Sequence, residues 1–276
     1  MKSIHTIKKV TLATLLTFIL SFSSVFAQND TMYIMKSGAI VGKYNVNTEV
    51  DSIIFYKPTV AQNNTTGTFT DTRDGNVYNW VKIGDQVWMA ENLKYLPSVV
   101  GPGTGSQTTP YYYVYGYDGT DVTTAKATSN YTTYGVLYNW TAAMAGTASS
   151  TANPSGVQGV CPTGWHLPSD AEWTELTDYL GGENVAGGKL KETGTTHWTN
   201  PNTGATNETG FTALPGGDRS IYGGSFNDVG SYGTWWSASE SSASNAWGRR
   251  MGYDGSYVGR YDYGKELGFS VRCVRD

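Results

Sequence analysis

The chain has 276 residues, of which only 15% are charged, while Gly (34), Tyr (20) and Trp (9) are abundant. Setting aside a leader that carries Lys2, Lys8 and Lys9 leaves 16 basic against 23 acidic residues, a net charge of −7. That balance excludes nucleic acid or anionic lipid as the main partner, because phosphate binding needs a basic surface.

Residues 1–27 read as a signal peptide. The three lysines form a positive n-region, the run 10–26 is apolar, and Val25 and Ala27 fit the −3 and −1 positions of a cleavage site after Ala27. Thr11, Thr14, Thr17 and Ser21 dilute the run, which is short for a membrane span. The expectation is export to the extracellular space, cell surface or periplasm, with no membrane insertion after cleavage.

Within 28–57 the segments "MYIMK", "AIVGKY" and "SIIFY" alternate in polarity and predict a small β-meander. The stretch "PTVAQNNTTG" has linker chemistry, which sets a linker at 58–65 and a main domain at 66–276. The domain opens with strands holding Val77, Trp80, Ile83, Val87 and Trp88, between turns at Asp74-Gly75-Asn76 and Gly84-Asp85. Residues 98–133 lack periodicity and read as an exposed insertion. Val136, Leu137, Trp140, Ala143 and Met144 fall at helical spacing before Gly146. In "CPTGWHLPSDAEWTELTDYLGG", Ser169 and Glu172 form a capping box. Trp173, Leu176 and Leu180 make a buried stripe, and Gly181-Gly182 ends the helix. Asp170, Glu172, Glu175 and Asp178 are accounted for by capping and solvation.

After Gly187 the pattern is mostly irregular. Strands return as "TWWSASE", "AWGRRMGY", "SYVGRYDY" and "GFSVRCVRD", with a hairpin turn at Asp254-Gly255. Trp235, Trp236 and Trp247 are assigned to the core. Two helices among many short strands and long loops define an α+β fold. The two cysteines, Cys161 and Cys273, suggest one disulfide in an oxidising compartment, with two buried free thiols as the alternative.

The blocks "GDQVWMAENL", "YGVLYNW", "CPTGWHLPSDAEW", "GGKLKETGTTHW", "NTGATNETGFTALPGGDR", "WWSASE" and "GFSVRCVRD" resemble, in order, the FISUMP family. This is the major paralogous domain of fibre-degrading and gut bacteria. The resemblance covers about 66–276 and implies a C-type lectin-like fold, in the branch shared with formylglycine-generating enzymes. It implies two helices around small twisted antiparallel sheets, and pairing of Cys161 with Cys273.

No catalytic constellation stands out. There is no G-x-S-x-G and no phosphate loop. Glu240 is a lone candidate acid. His166 and His197 cannot build the three-His iron site of related sulfoxide-forming enzymes. Asn200, Asn202 and Glu208, with Asn207 nearby, are candidate calcium ligands, set against a plain turn. Across 246–263, Tyr253, Tyr257, Tyr261 and Tyr263 interleave with Arg249, Arg250, Asp254, Arg260 and Asp262 in paratope-like fashion. The expectation is a non-enzymatic, exported module that binds polysaccharide on this face. The alternatives are a protein-binding adhesin on the same face and a divergent enzyme of the formylglycine-generating group.

Overall fold

The computed structural model describes residues 31–36, 39–45, 65–221 and 223–276. The leader, the "SIIFY" strand of the meander and most of the expected linker lie outside them. The chain divides into two compact units, 1–61 and 62–276. In the first, β1 (Thr31–Lys36) and β2 (Ala39–Asn45) pair as an antiparallel hairpin.

The second unit is α+β and is built on two five-stranded sheets. One has the order β3 (Thr66–Thr70), β4 (Val77–Ile83), β5 (Gln86–Met89), β14 (Val274–Arg275), β8 (Trp165–His166). Its first three strands are joined at the two turns read from the sequence, and Gly84 takes the left-handed conformation that a tight turn demands. The other sheet has the order β10 (Phe226–Val229), β9 (Gly216–Arg219), β11 (Tyr232–Glu240), β12 (Asn245–Gly252), β13 (Val258–Gly264). A small ladder joins β6 (Tyr112–Tyr113) to β7 (Leu137–Tyr138).

Five helices occur among the described residues, not two. α1 (Val122–Lys126) and α2 (Ser129–Tyr134) are capped by Asp121 and Thr128. Both fall in or at the end of the expected insertion, whose Val99, Val114, Ala125 and Tyr131 are buried in a core cluster and whose Tyr113 is also buried. Residues 98–133 are largely at the surface, as expected, but are anchored in the core by these few side chains, which have no period because they come from different short elements. The helix expected from Val136 is shorter: α3 (Trp140–Met144) starts at the Asn139 cap, and Leu137 is in β7. α4 (Asp170–Tyr179) carries the capping box as read, with Ser169 Oγ accepting from the Glu172 N–H at 3.1 Å. α5 (Glu183–Leu190) was not foreseen, because two mid-helix glycines lower propensity. Gly187 lets α5 lie directly on the backbone of residues 256 and 257, and Gly188 on that of Gly204.

Strand alternation in β11 sends Trp236 into one hydrophobic cluster and Trp235 into the other. The first cluster includes Tyr138, Phe269 and the Cys161–Cys273 disulfide, whose Cα atoms are 6.0 Å apart. The second gathers Trp88, Trp173, Leu176, Phe211 and Met251 beneath α4. The disulfide spans 112 residues, and closing a loop of that size stabilises by roughly 4–5 kcal/mol in chain-entropy terms.

Candidate functional site

The register of β11, β12 and β13 separates the predicted site residues into two groups. Trp235, Arg249 and Arg260 stand opposite one another on the face covered by α4 and α5. Arg249 is 0% exposed. Its Nη1 donates to Glu183 at 2.8 Å, and its Nη2 donates to Asp170 and Thr174, each at 2.8 Å. Arg260 also pairs with Asp170, at 2.8 Å, and its guanidinium lies 3.5 Å above the Trp247 ring. Arg249 and Arg260 therefore do not share the open tyrosine face; they pin helices. Trp247 is half-exposed under Arg260 and is not a core residue. Tyr253 packs partly against the helix-side cluster and meets Tyr232 edge-on at 6.2 Å.

The opposite face is open around Arg250. Across the strands, Tyr232 lies opposite Gly252, Thr234 opposite Arg250, and Arg250 opposite Gly259. Glycine at 252 and 259 leaves room for rings to pack close against the strands. A Cβ on Gly252 would stand 2.8 Å from the Tyr232 ring, and one on Gly259 would collide with the Tyr261 ring. Tyr257 covers Gly255 in the same way, and Tyr263 leans on Gly248. Tyr257 and Tyr261 are 37% and 45% exposed, so their rings face solvent. Tyr263 forms the inner wall, 4.8 Å from Phe269, and burial pushes its hydroxyl up to about 12.

In the middle of these rings Arg250, one of the interleaved residues of the sequence, meets two aspartates that the sequence reading missed. Arg250 donates to Asp228 at 2.7 Å and stacks 3.6 Å from the Tyr232 ring. Asp228 holds a positive φ of 68°, a conformation uncommon outside Gly and Asn/Asp. Asp218, one strand over on β9, is half-buried and has no ion pair among the described residues. Burial and the charge of Asp228 raise its carboxyl to about 6, against the pull of Arg250. Tyr115, 5.1 Å from Phe226, closes the β10 side. Strand parity alone would have split Arg249 from Arg250 and placed Gly248, Arg250 and Gly252 on one face. Asp218 and Asp228 carry no local signal, because only the sheet order brings them beside β12.

The remaining candidates lie apart from this face. Glu208 pairs with Lys189 at 3.2 Å, Asn200 is exposed, and the Asn202 amide donates to the carbonyls of Glu192 and Gly194. Glu240 is exposed and pairs with Lys265 at 2.7 Å. His197 contacts Glu192 at 2.9 Å. His166 is buried between Glu172 and Asp276, each at 2.6 Å. Burial alone would lower its pKa, but the two carboxylates outweigh this and raise it. Glu172 is thus buried, not solvated as expected, and its second oxygen accepts from the Ser155 and Ser169 N–H groups. No group of three or more His, Cys, Asp or Glu side chains among the described residues is placed to hold a metal ion.

The model of the Fibrobacter succinogenes major domain matches residues 81–275. The chain belongs to that family. No curated protein and no solved structure matches it. The major-domain segment contains the whole open face, both cysteines and His166. It also contains two buried cations that hold loops. Lys191 donates to the carbonyls of Thr203, Gly252 and Gly255, with burial pulling it down to about 8. Arg272, lowered by burial to about 9, donates to the carbonyls of Phe211 and Thr212. Among the described residues no helix is long and apolar enough to cross a membrane.

Proposed function

We propose that this chain is an exported, non-enzymatic binding module of C-type lectin-like fold that takes polysaccharide on the face around Arg250. The observation that carries this reading is the group of tyrosine rings around Arg250, packed against strand glycines, with Tyr257 and Tyr261 exposed. An exposed Tyr ring offers a π-face, the surface on which the C–H face of a pyranose packs, at low conformational cost. The buried disulfide supports an oxidising destination, as an exported chain requires. Both cysteines are consumed in that bond, so the thiol pair that holds copper in formylglycine-generating enzymes has no counterpart here.

Affinity electrophoresis of the chain through plant and microbial polysaccharides, with and without chelator, tests the reading. Retardation by at least one polysaccharide is expected, and Tyr257→Ala with Tyr261→Ala should abolish it. Loss with chelator would add calcium to the site. Retardation by none would remove the glycan reading and turn the same face toward a protein partner, since Tyr and Arg are also the residues of protein hot spots.

A further inference from the structure

The polar centre of the open face has a definite chemistry beyond its aromatic rim. Arg250 is a planar donor held in place by Asp228 on one nitrogen and by Tyr232 against its plane. Asp218 follows Gly217, which lies opposite Gly233, while Thr234 lies opposite Arg250, so the carboxylate and the guanidinium flank the same residue of β11, and Arg250 is the cation acting on Asp218. A guanidinium beside a carboxylate complements two adjacent hydroxyls, each of which accepts from the one and donates to the other. Tyr257 and Tyr261 then supply the stacking surface next to the diol.

The charge of this centre narrows the ligand. Asp218 and Asp228 face a single Arg250, and Asp228 already satisfies that charge. An incoming carboxylate or sulfate would meet Asp218 with no cation left to receive it. Resting on the glycan reading above, we infer that this face selects neutral glycans with an unsubstituted vicinal diol, seated between Arg250 and Asp218, and turns away uronate- or sulfate-bearing chains.

The acceptor must be ionised to take both hydroxyl protons. The groups around Asp218 are Asp228 on β10, Arg250 on β12, Tyr263 on β13 and Tyr115 beyond β6. Burial and Asp228 outweigh Arg250 and set its midpoint at about 6, while the tyrosines stay neutral through the physiological range. Affinity therefore weakens as pH falls through that value.

The test uses the purified chain and neutral probes (galactomannan, arabinoxylan, hydroxyethylcellulose) against acidic ones (carboxymethylcellulose, polygalacturonate). Calorimetric titrations run from about pH 5 to about pH 8, bracketing the Asp218 midpoint and the range where carboxylates normally stay ionised. Thermal unfolding confirms that each variant is folded. The expected result is binding of a neutral probe that weakens roughly tenfold at the acidic end, with little binding of acidic probes; tenfold corresponds to one lost hydrogen bond of ordinary strength. Asp218→Asn should lower affinity by a similar factor and abolish the pH dependence. If Asp218→Asn binds like the wild type, or carboxymethylcellulose binds as well as hydroxyethylcellulose, the inference is wrong while the glycan face stands. If no glycan binds, or Tyr261→Ala leaves binding intact, the glycan face itself is wrong and the inference goes with it.

Discussion

Arg249 and Arg250 are neighbours in sequence and opposites in setting. Arg249 is sealed beneath α4 and α5, with Asp170, Glu183 and Thr174 around its guanidinium, while Arg250 lies among exposed rings. The same division holds across the whole sheet. On the helix side both arginines are tied to named carboxylates: Arg249 to Asp170 and Glu183, and Arg260 to Asp170 again. On the open side Asp218 has no ion pair among the described residues, and Asp228 sits at a positive φ. Buried ions survive in a fold only when paired and hydrogen-bonded. A half-buried carboxylate kept against a like charge adds nothing to folding, and cost of that kind concentrates where a protein meets its ligand.

The comparison is broken most severely from the helix side. Arg249→Ala leaves Asp170 and Glu183 without their buried partner and opens a void between β12 and α4. A loss of about 3–5 kcal/mol is expected in denaturant unfolding, the usual cost of removing half of a buried pair. Arg250→Ala, one residue on, should cost about 1 kcal/mol or less, since its pair with Asp228 is partly exposed. Equal losses for the two variants would erase the distinction between the faces.

His166 extends the contrast to the other sheet, where it ties β8 to α4 through Glu172 and to the end of β14 through Asp276. Replacing it by Ala should cost about 2–3 kcal/mol, because Glu172 would keep a desolvated charge. Its pKa is raised in the folded state, so the folded chain holds the proton more tightly than the unfolded one. The stabilisation is complete below the ordinary histidine value and disappears as pH rises through the raised one. Stability measured against pH should fall on that alkaline flank in the wild type and stay flatter in the His166→Ala variant.

Asp218→Asn should move stability the other way. Its folded pKa of about 6 lies above the ordinary value of 3.8, so ionisation at neutral pH works against folding. That penalty is absent below 3.8 and grows as pH rises through about 6. A shift of this size is worth about 3 kcal/mol for a sealed group, and partial exposure reduces it to about 1–2 kcal/mol. Asp218→Asn is therefore expected to raise the melting temperature at neutral pH while weakening binding. A lower melting temperature would make Asp218 structural.

How much of this was legible depends on how local each signal is. The α4 capping box needs only Ser169 and Glu172, three positions apart in one turn, and it appears as read. The hairpin turn at Asp254-Gly255 and the β11–β13 strands are equally local. α5 is hidden in the sequence because Gly187 and Gly188 look like chain-breakers until the backbone at 256–257 and at Gly204 is packed against them. The insertion looked exposed because its buried Tyr113, Val114 and Tyr131 are held by distant partners, among them Arg219, which reaches Pro102 O at 2.7 Å. The tyrosines of the site and Arg250 are visible in the sequence, and only strand parity separates Arg250 from Arg249 and Arg260, which lie on the helix side. Asp218 and Asp228 join the site only through the β10-β9-β11-β12 order, which no stretch of sequence displays.

The smallest effect on stability comes from the glycine beneath the rings, and it separates shape from chemistry. Gly252→Ala keeps every polar group of the face. Its new Cβ would lie 2.8 Å from the Tyr232 ring and 2.7 Å from Asp254, both of them side-chain atoms able to yield. Stability should change by about 0.5 kcal/mol or less, because Ala gives back in strand propensity what the displaced contacts lose. Binding should nonetheless fall, because Tyr232 must lift off the sheet, and the Arg250 guanidinium stacked on it loses its support. If Gly252→Ala binds as the wild type does, the rings act as loose hydrophobic surface rather than as a flat platform. The glycines of β12 and β13 would then serve only to let the strands pack.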